Sequence, residues 1–104
     1  MIAQLNGRLI EKNPTELIVE CGGVGYSVKI SLNTFGALGS EENVLIYTKL
    51  IVREDAQLLY GFADTTEREM FKHLISVSGI GPNTAMIMLS SLIPDEIAAA
   101  IQNE

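Results

Sequence analysis

Up to residue 62, hydrophobic and polar residues alternate in short runs with the period of two that is typical of β-strands. A glycine pair, Gly22-Gly23, separates two of these runs and predicts a tight hairpin turn. The segment 33–40 holds two glycines and predicts a loop or a single helical turn. The five predicted strands are residues 5–10, 17–21, 24–30, 44–52 and 56–62. Five short strands in so short a segment favour a small closed or partly closed barrel, most commonly the oligonucleotide/oligosaccharide-binding (OB) barrel.

Beyond residue 62 the hydrophobic pattern changes to the helical period. Thr66 and Glu69 have the spacing of a capping box, which predicts a helix with Thr66 as its N-cap. Pro82 fits the first turn of a second helix, because the N–H that proline lacks would be unpaired there. Pro94 opens a third predicted helix. The apolar residues of the first two helices are Met70, Phe71, Leu74, Ile75, Val77, Ala85, Met86, Met88, Leu89 and Leu92.

These patterns place the chain in the α+β class. A five-stranded OB-fold barrel is expected in residues 1–63, and a small all-α domain in residues 64–104. The helical domain is expected to be incomplete, because its last helix reaches the C-terminus with no capping signal and no partner helix. The chain has 104 residues, of which 47% are hydrophobic. That composition supports a core, although the margin of stability at this size is thin.

The charge balance argues against a broad basic DNA-binding face. Seven basic and thirteen acidic residues give a formal net charge of −6. Residues 1–62 hold five basic and seven acidic residues, and residues 63–104 hold two and six. A DNA-binding function would therefore depend on local backbone donors.

The remaining composition indicates a cytoplasmic protein without a metal or a cofactor. The N-terminus lacks the pattern of a signal peptide, and the apolar runs are too short to span a bilayer. A single cysteine, Cys21, excludes an internal disulfide framework and is expected to be a buried apolar residue. His73 is expected to be partly exposed on a helix. One histidine and one cysteine do not suffice for a structural zinc site, and no catalytic constellation is visible.

The segment between the first two predicted helices has the form of a helix-hairpin-helix turn. Gly79 would let the chain leave the first helix in a left-handed conformation, Ile80 would pack between the helices, and Gly81 would let a DNA backbone approach. The free N–H groups of the second helix suit a phosphate, and they would bind DNA independently of base sequence. The predicted backbone-binding residues are Ser78, Gly79, Ile80, Gly81, Pro82, Asn83 and Thr84. The alternative is a plain helix pair whose glycines only turn the chain.

Two adjacent acids, Glu54 and Asp55, follow Arg53 between the last two predicted strands. Taken alone, this triplet is typical of a solvated β-turn. As a catalytic pair the two carboxylates lack a nucleophile or a third acidic partner, and they are too few to hold a divalent metal.

A set of short segments, in order along the whole chain, carries a resemblance to a known family. The segments are Met1-Ile2, Gly7, Glu11-Lys12, residues 22–26, residues 52–62, Glu67-Arg68 and residues 79–82. In this order they resemble the RuvA family of bacterial Holliday-junction recognition subunits. The block from residue 52 to residue 62 is long and specific.

The resemblance implies a subunit that recognises four-way junction DNA and carries no active site of its own. It implies an OB-like domain that builds a homotetramer, with an octamer on DNA as the alternative, and a helical domain with two hairpins. It implies branch migration driven by the partner RuvB ATPase, with the RuvC resolvase as a further partner. The family's acidic pin matches Glu54 and Asp55, which would lie at the junction crossover and repel phosphates.

The sequence departs from the family pattern in two respects. The chain ends before a second hairpin and before the RuvB-binding domain that the family implies. Asn83 stands where the family often has a lysine, so this hairpin is expected to hold phosphate more weakly. Three hypotheses remain open at this point: a junction-binding assembly module, a structural scaffold that barely binds DNA, and a metal-dependent nuclease that uses Glu54 and Asp55.

Overall fold

The computed structural model describes residues 2–39 and 41–91. All five predicted strands are confirmed, each within two residues at its ends, and the segment after the third strand forms a short helix. Leu92 and the third predicted helix from Pro94 lie outside the described residues. In chain order the elements are β1 (Gln4–Lys12), β2 (Glu16–Cys21), β3 (Val24–Ile30), α1 (Leu32–Ala37), β4 (Asn43–Val52), β5 (Gln57–Phe62), α2 (Thr65–Ser76) and α3 (Pro82–Ser91).

The five strands close into a barrel with the order β1-β2-β3-β5-β4. β1 closes the barrel because it pairs with β2 on one side and with β4 on the other, both antiparallel. A bulge between Leu9 and Glu11 lets this long strand bend. Among the described strands, β3 and β5 pair in parallel, and α1 follows β3 in the chain and leads into β4. The predicted α+β architecture, an OB-type barrel followed by helices, is confirmed.

The hydrophobic residues of the alternating pattern point into the barrel and form its interior. In β4, for example, Val44, Ile46 and Thr48 are buried, whereas Leu45 is exposed. The hairpin between β2 and β3 turns at Gly22 and Gly23, which have φ of +58° and +88°, as the glycine pair predicted. The barrel core consists of Leu5, Leu17, Val19, Val28, Ile30, Val44, Ile46 and Leu59.

A second cluster, here called the joint core, connects the barrel to the helices. β5 supplies Tyr60 and Phe62, whose ring centroids both lie 5.1 Å from that of Phe71 in α2. Complete burial of an aromatic side chain such as Phe71 contributes about 1.5–3 kcal/mol. The last four residues of β5 are all buried, because one face of the strand packs in the barrel and the other packs against the helices. The joint core consists of Tyr60, Phe62, Phe71, Leu74, Ala85, Met86 and Leu89.

The start of α2 corrects one prediction. The helix begins at Thr65, and its N-cap is Asp64, whose side chain accepts a hydrogen bond from the Glu67 N–H at 2.8 Å. The capping box predicted at Thr66 and Glu69 is therefore wrong. Asp64 and Glu67 have the same spacing, and the earlier pair forms the cap. Among the described helices, none is long and apolar enough to cross a membrane.

Candidate nucleic-acid interface

The turn between α2 and α3 has the hairpin geometry that the sequence predicted. The helix ends with the Val77 N–H bonded to the Leu74 carbonyl at 3.1 Å. The Ile80 N–H then bonds to the Val77 carbonyl at 3.1 Å, which closes a four-residue turn. Gly79 is the third residue of this turn and has a φ of +89°, a conformation that favours glycine.

Ile80 anchors this turn to the body of the protein. Its half-buried side chain packs against the joint core, which contains residues of both α2 and α3. The side chain expected between the two helices therefore packs on the cluster that the helices share with β5. The neighbouring residues Ser78, Gly79 and Gly81 are exposed. The turn is thus fixed from inside while its backbone faces outward.

The first turn of α3 presents free backbone donors. The helix starts at Pro82, and its first internal hydrogen bond runs from the Ala85 N–H to the Gly81 carbonyl at 3.0 Å. In such a first turn the N–H groups of Asn83 and Thr84 have no partner within the helix. A Cβ atom added to Gly81 would meet no atom within 4 Å. The surface in front of Gly81 is therefore open to an approaching chain.

The Asn83 side chain is tied to the barrel. The Tyr60 hydroxyl donates a hydrogen bond to Asn83 Oδ1 at 3.3 Å. Burial raises the pKa of Tyr60, which keeps the phenol protonated and able to donate, while the charge of Arg53 lowers this pKa to a smaller extent. The amide nitrogen of Asn83 is the part of the side chain that can still donate to a phosphate.

The acidic residues lie at the tip of the hairpin formed by β4 and β5. The ladder reaches the pair Val52 and Gln57, and the turn is closed by the Arg53 N–H, which bonds to the Ala56 carbonyl at 2.7 Å. Glu54 and Asp55 occupy the two middle positions and are exposed. Within the described residues, neither carboxylate forms an ion pair. Residues 53–56 are called the acidic turn below.

Sequence reasoning missed a third carboxylate, Glu67, which connects the helices to the barrel. Its side chain is only 3% exposed. The Ser31 hydroxyl donates to Glu67 Oε2 at 2.5 Å, and the Thr34 hydroxyl donates to Glu67 Oε1 at 2.6 Å. Burial raises the pKa of Glu67, the two hydroxyl hydrogen bonds lower it, and the charge of Asp64 raises it further. Glu67, Ser31 and Thr34 are called the joint triad below.

The short helix α1 contacts α3 as well as α2. The Leu32 N–H donates to Ser90 Oγ at 3.0 Å, and the Asn33 side-chain amide donates to the Leu89 carbonyl. An open groove of about 470 Å³ lies beside these contacts, between the barrel and α3. Polar bonds from α1 to both helices fix the hairpin relative to the barrel. No local pattern in the sequence connects Ser31 with Glu67.

Other candidate residues carry no visible site. Cys21 is half-buried, where the expectation was a buried apolar residue, and its Sγ lies 3.6 Å from the Asn6 carbonyl oxygen. His73 is exposed in the last turn of α2, as expected. The described part of the chain contains no group of three or more His, Cys, Asp or Glu side chains that could hold a metal ion.

Comparisons with known proteins give one consistent result. The sequence profile of the family described as "RuvA N terminal domain" matches residues 1–61. A protein of Christiangramia forsetii is 55% identical over 104 residues, which cover 100% of this chain and 54% of that protein. A protein of Flavobacterium psychrophilum is 54% identical over 97% of this chain and 52% of that protein, and one of Cytophaga hutchinsonii is 50% identical over 100% and 52%. All three are named "Holliday junction branch migration complex subunit RuvA". The chain spans about half the length of the curated relatives it matches.

Proposed function

The chain belongs to the RuvA family, and from this membership we propose that it is the DNA-recognition part of a branch migration complex subunit. In this role it binds four-way junction DNA, holds the junction open as a homotetramer and performs no catalysis itself. The observation that carries the proposal is the open hairpin. An exposed turn fixed by Ile80 places the free N–H groups of α3 where a DNA phosphate can approach.

The hairpin supplies affinity without sequence specificity. Ser78, Gly79, Gly81 and Thr84 are exposed, and the contacts they offer are backbone or hydroxyl donors. Ile80 and Pro82 shape the turn, and Asn83 adds a neutral amide donor in place of a charged one. The contact of a single hairpin with the DNA backbone is weak, so the overall affinity depends on several subunits that bind the same DNA together.

The acidic turn supplies selectivity for junctions. The exposed charges of Glu54 and Asp55 repel phosphates at short range. Around a four-fold axis, four such turns meet at the crossover, where the strands of a junction separate and no phosphates need to pass. A continuous duplex would bring phosphates against these charges, and its binding is therefore disfavoured.

The domain division at residue 63 and the partners follow the family pattern. Residues 1–63 form the barrel that builds the tetramer, or an octamer on DNA, and residues 64–104 begin the helical domain. In the complete complex the ATPase RuvB drives branch migration and the resolvase RuvC acts on the same junction. The partners for tetramer assembly are three further copies of this chain, and exposed apolar side chains on the barrel support such contacts. They include Ile10, Val24 and Leu45.

An electrophoretic shift assay tests the proposal directly. The chain is titrated against a four-way junction and against linear duplex of the same total length, at 50 and 200 mM salt. We expect tighter binding to the junction and a tetrameric mass by sedimentation. Equal affinity for both DNAs would refute junction recognition. A tetramer that binds neither DNA would support the scaffold hypothesis instead.

A further inference from the structure

A small cleft beside α2 is lined by several positively charged side chains. It has a volume of about 150 Å³ and lies between the two residues that precede β1, the middle of β4 and the middle of α2. Three of its seven lining residues are Lys49, Arg68 and Lys72. The whole chain has seven basic residues and a net charge of −6, so this concentration departs sharply from the average surface. These three residues define the basic cleft.

Arg68 is held in place by the protein itself. Its Nη1 donates to the Ala3 carbonyl at 2.9 Å, and its guanidinium lies 5.6 Å from the centroid of the Tyr47 ring. Its Nε is buried and has only a contact of 3.5 Å with Glu69, which is too long for a good hydrogen bond. The guanidinium therefore contributes a fixed positive charge that its own surroundings satisfy incompletely.

The two lysines complete the cleft. Lys72 Nζ lies 3.5 Å from the same Glu69 carboxylate, in an exposed pair of the kind that contributes little. Lys49 is half-buried on β4 and forms no ion pair within the described residues. With Glu69 counted, three positive charges face one negative charge. An anion in the cleft would relieve this repulsion.

The cleft is connected to both proposed DNA contacts through the elements that line it. Along β4, Lys49 precedes the acidic turn at Arg53 by four residues, or about 13 Å of strand. Along α2, Lys72 precedes Val77 by five residues, or about 8 Å of helix. One element therefore leads from the cleft to the acidic turn and the other leads from it to the hairpin.

We propose that the basic cleft binds a backbone phosphate of the DNA arm on its path from the crossover to the hairpin. The ligand is a phosphodiester, held by the two lysine ammonium groups while Arg68 supplies a positioned charge. The proposal rests on the proposed function. The basic cleft would also supply the charged phosphate contact that a hairpin with Asn83 in place of a lysine lacks.

The test is the salt dependence of junction binding by the double variant Lys49→Gln/Lys72→Gln. Arg68 is left unchanged because it also holds the start of β1. The double variant should bind the junction on the order of 10-fold more weakly at 50 mM salt, and its slope of log affinity against log salt should fall by about 1–2. The matched control is Arg8→Gln/Lys29→Gln, which removes the same charge outside the cleft and should leave the slope unchanged.

Each outcome of this experiment supports or overturns the assignment of a DNA phosphate to the basic cleft. Equal losses in the two variants would show an effect of net charge alone and overturn the proposal, as would an unchanged slope in the cleft variant. A wild-type chain that binds no junction refutes the proposed function and this inference together. A second arm adds inorganic phosphate without DNA and follows the amide signals of Lys49 and Lys72 by NMR. If these signals shift with phosphate while the DNA slope is unchanged, the cleft takes free phosphate and the DNA assignment is wrong.

Discussion

Glu54 and Glu67 are the same residue type in opposite surroundings. Glu54 lies at the tip of the acidic turn, exposed and outside any ion pair of the described residues. Glu67 is 3% exposed and receives hydroxyl hydrogen bonds from Ser31 and Thr34. The first carboxylate acts outward, on a molecule that approaches the tip. The second acts inward, on the connection between the barrel and the helices.

The two glutamates show the difference between a residue that affects DNA binding and a residue that holds the fold together. An exposed charge can change the affinity for DNA without changing the fold, because water already solvates it. A buried, hydrogen-bonded carboxylate does the reverse, because removing it leaves buried polar partners unsatisfied. The two kinds of substitution should therefore have opposite profiles: changes in the joint triad lower stability, and changes in the acidic turn alter DNA selectivity.

The largest expected effect is that of Glu67→Ala. The substitution removes the acceptor of two buried hydroxyl donors and leaves a cavity, so the free energy of unfolding should fall by about 2–4 kcal/mol. Urea unfolding followed by circular dichroism measures this change. The control Glu69→Ala alters an exposed glutamate of the same helix and should cost less than about 0.5 kcal/mol. Equal losses in both variants would contradict the structural role of the joint triad.

In the hairpin, substitutions at two nearby glycines should likewise separate an effect on stability from an effect on DNA binding. Gly79→Ala places a side chain at a φ of +89° and should lower the free energy of unfolding by about 1–2 kcal/mol. Gly81→Ala introduces a Cβ atom into open space, so it should leave stability nearly unchanged while it obstructs the DNA backbone. Thermal unfolding and junction titration of both variants test this pair. A loss of stability in Gly81→Ala equal to that in Gly79→Ala would refute the distinction.

A smaller effect follows from the ionisation of Glu67. Burial raises the pKa of Glu67 above its ordinary value of 4.5, so the folded chain binds this proton more tightly than the unfolded chain does. The corresponding stabilisation is complete below pH 4.5 and is lost as the pH rises through the raised pKa. Unfolding of the wild type and of Glu67→Gln is compared from pH 4 to pH 8. The free energy of unfolding of the wild type, relative to that of Glu67→Gln, should decrease as the pH rises. An increase would show that the two hydroxyl hydrogen bonds lower the pKa of Glu67 more than burial raises it.

The sequence predicted most of the fold because its signals are local. The alternation in β4 and the glycine pair Gly22-Gly23 each follow from the preferences of neighbouring residues. The N-cap of α2 was placed two residues late because Asp64 with Glu67 and Thr66 with Glu69 match the same capping pattern. Sequence alone does not decide between them. In the structure Asp64 caps the helix, and Glu67 accepts hydrogen bonds from Ser31 and Thr34.

The candidate site was predicted unevenly for the same reason. The hairpin and the acidic turn are continuous segments, so their residues could be named in advance, although their roles toward DNA remain predictions. The joint triad and the basic cleft are assembled from distant segments. Ser31 and Glu67 are 36 residues apart, and Arg68 meets Ala3 across 65 residues. No periodicity or motif relates such positions before the barrel closes.

The smallest change in stability should come from the double variant Glu54→Gln/Asp55→Asn. Both side chains are exposed, so the free energy of unfolding should stay within about 0.5 kcal/mol of the wild type. Binding to linear duplex should become tighter, because a repulsive element is removed, and the preference for the junction should narrow. The matched control is Glu41→Gln/Glu42→Gln, another exposed pair of adjacent acids on the barrel. If both variants raise duplex affinity equally, net charge explains the result and the acidic turn has no specific role.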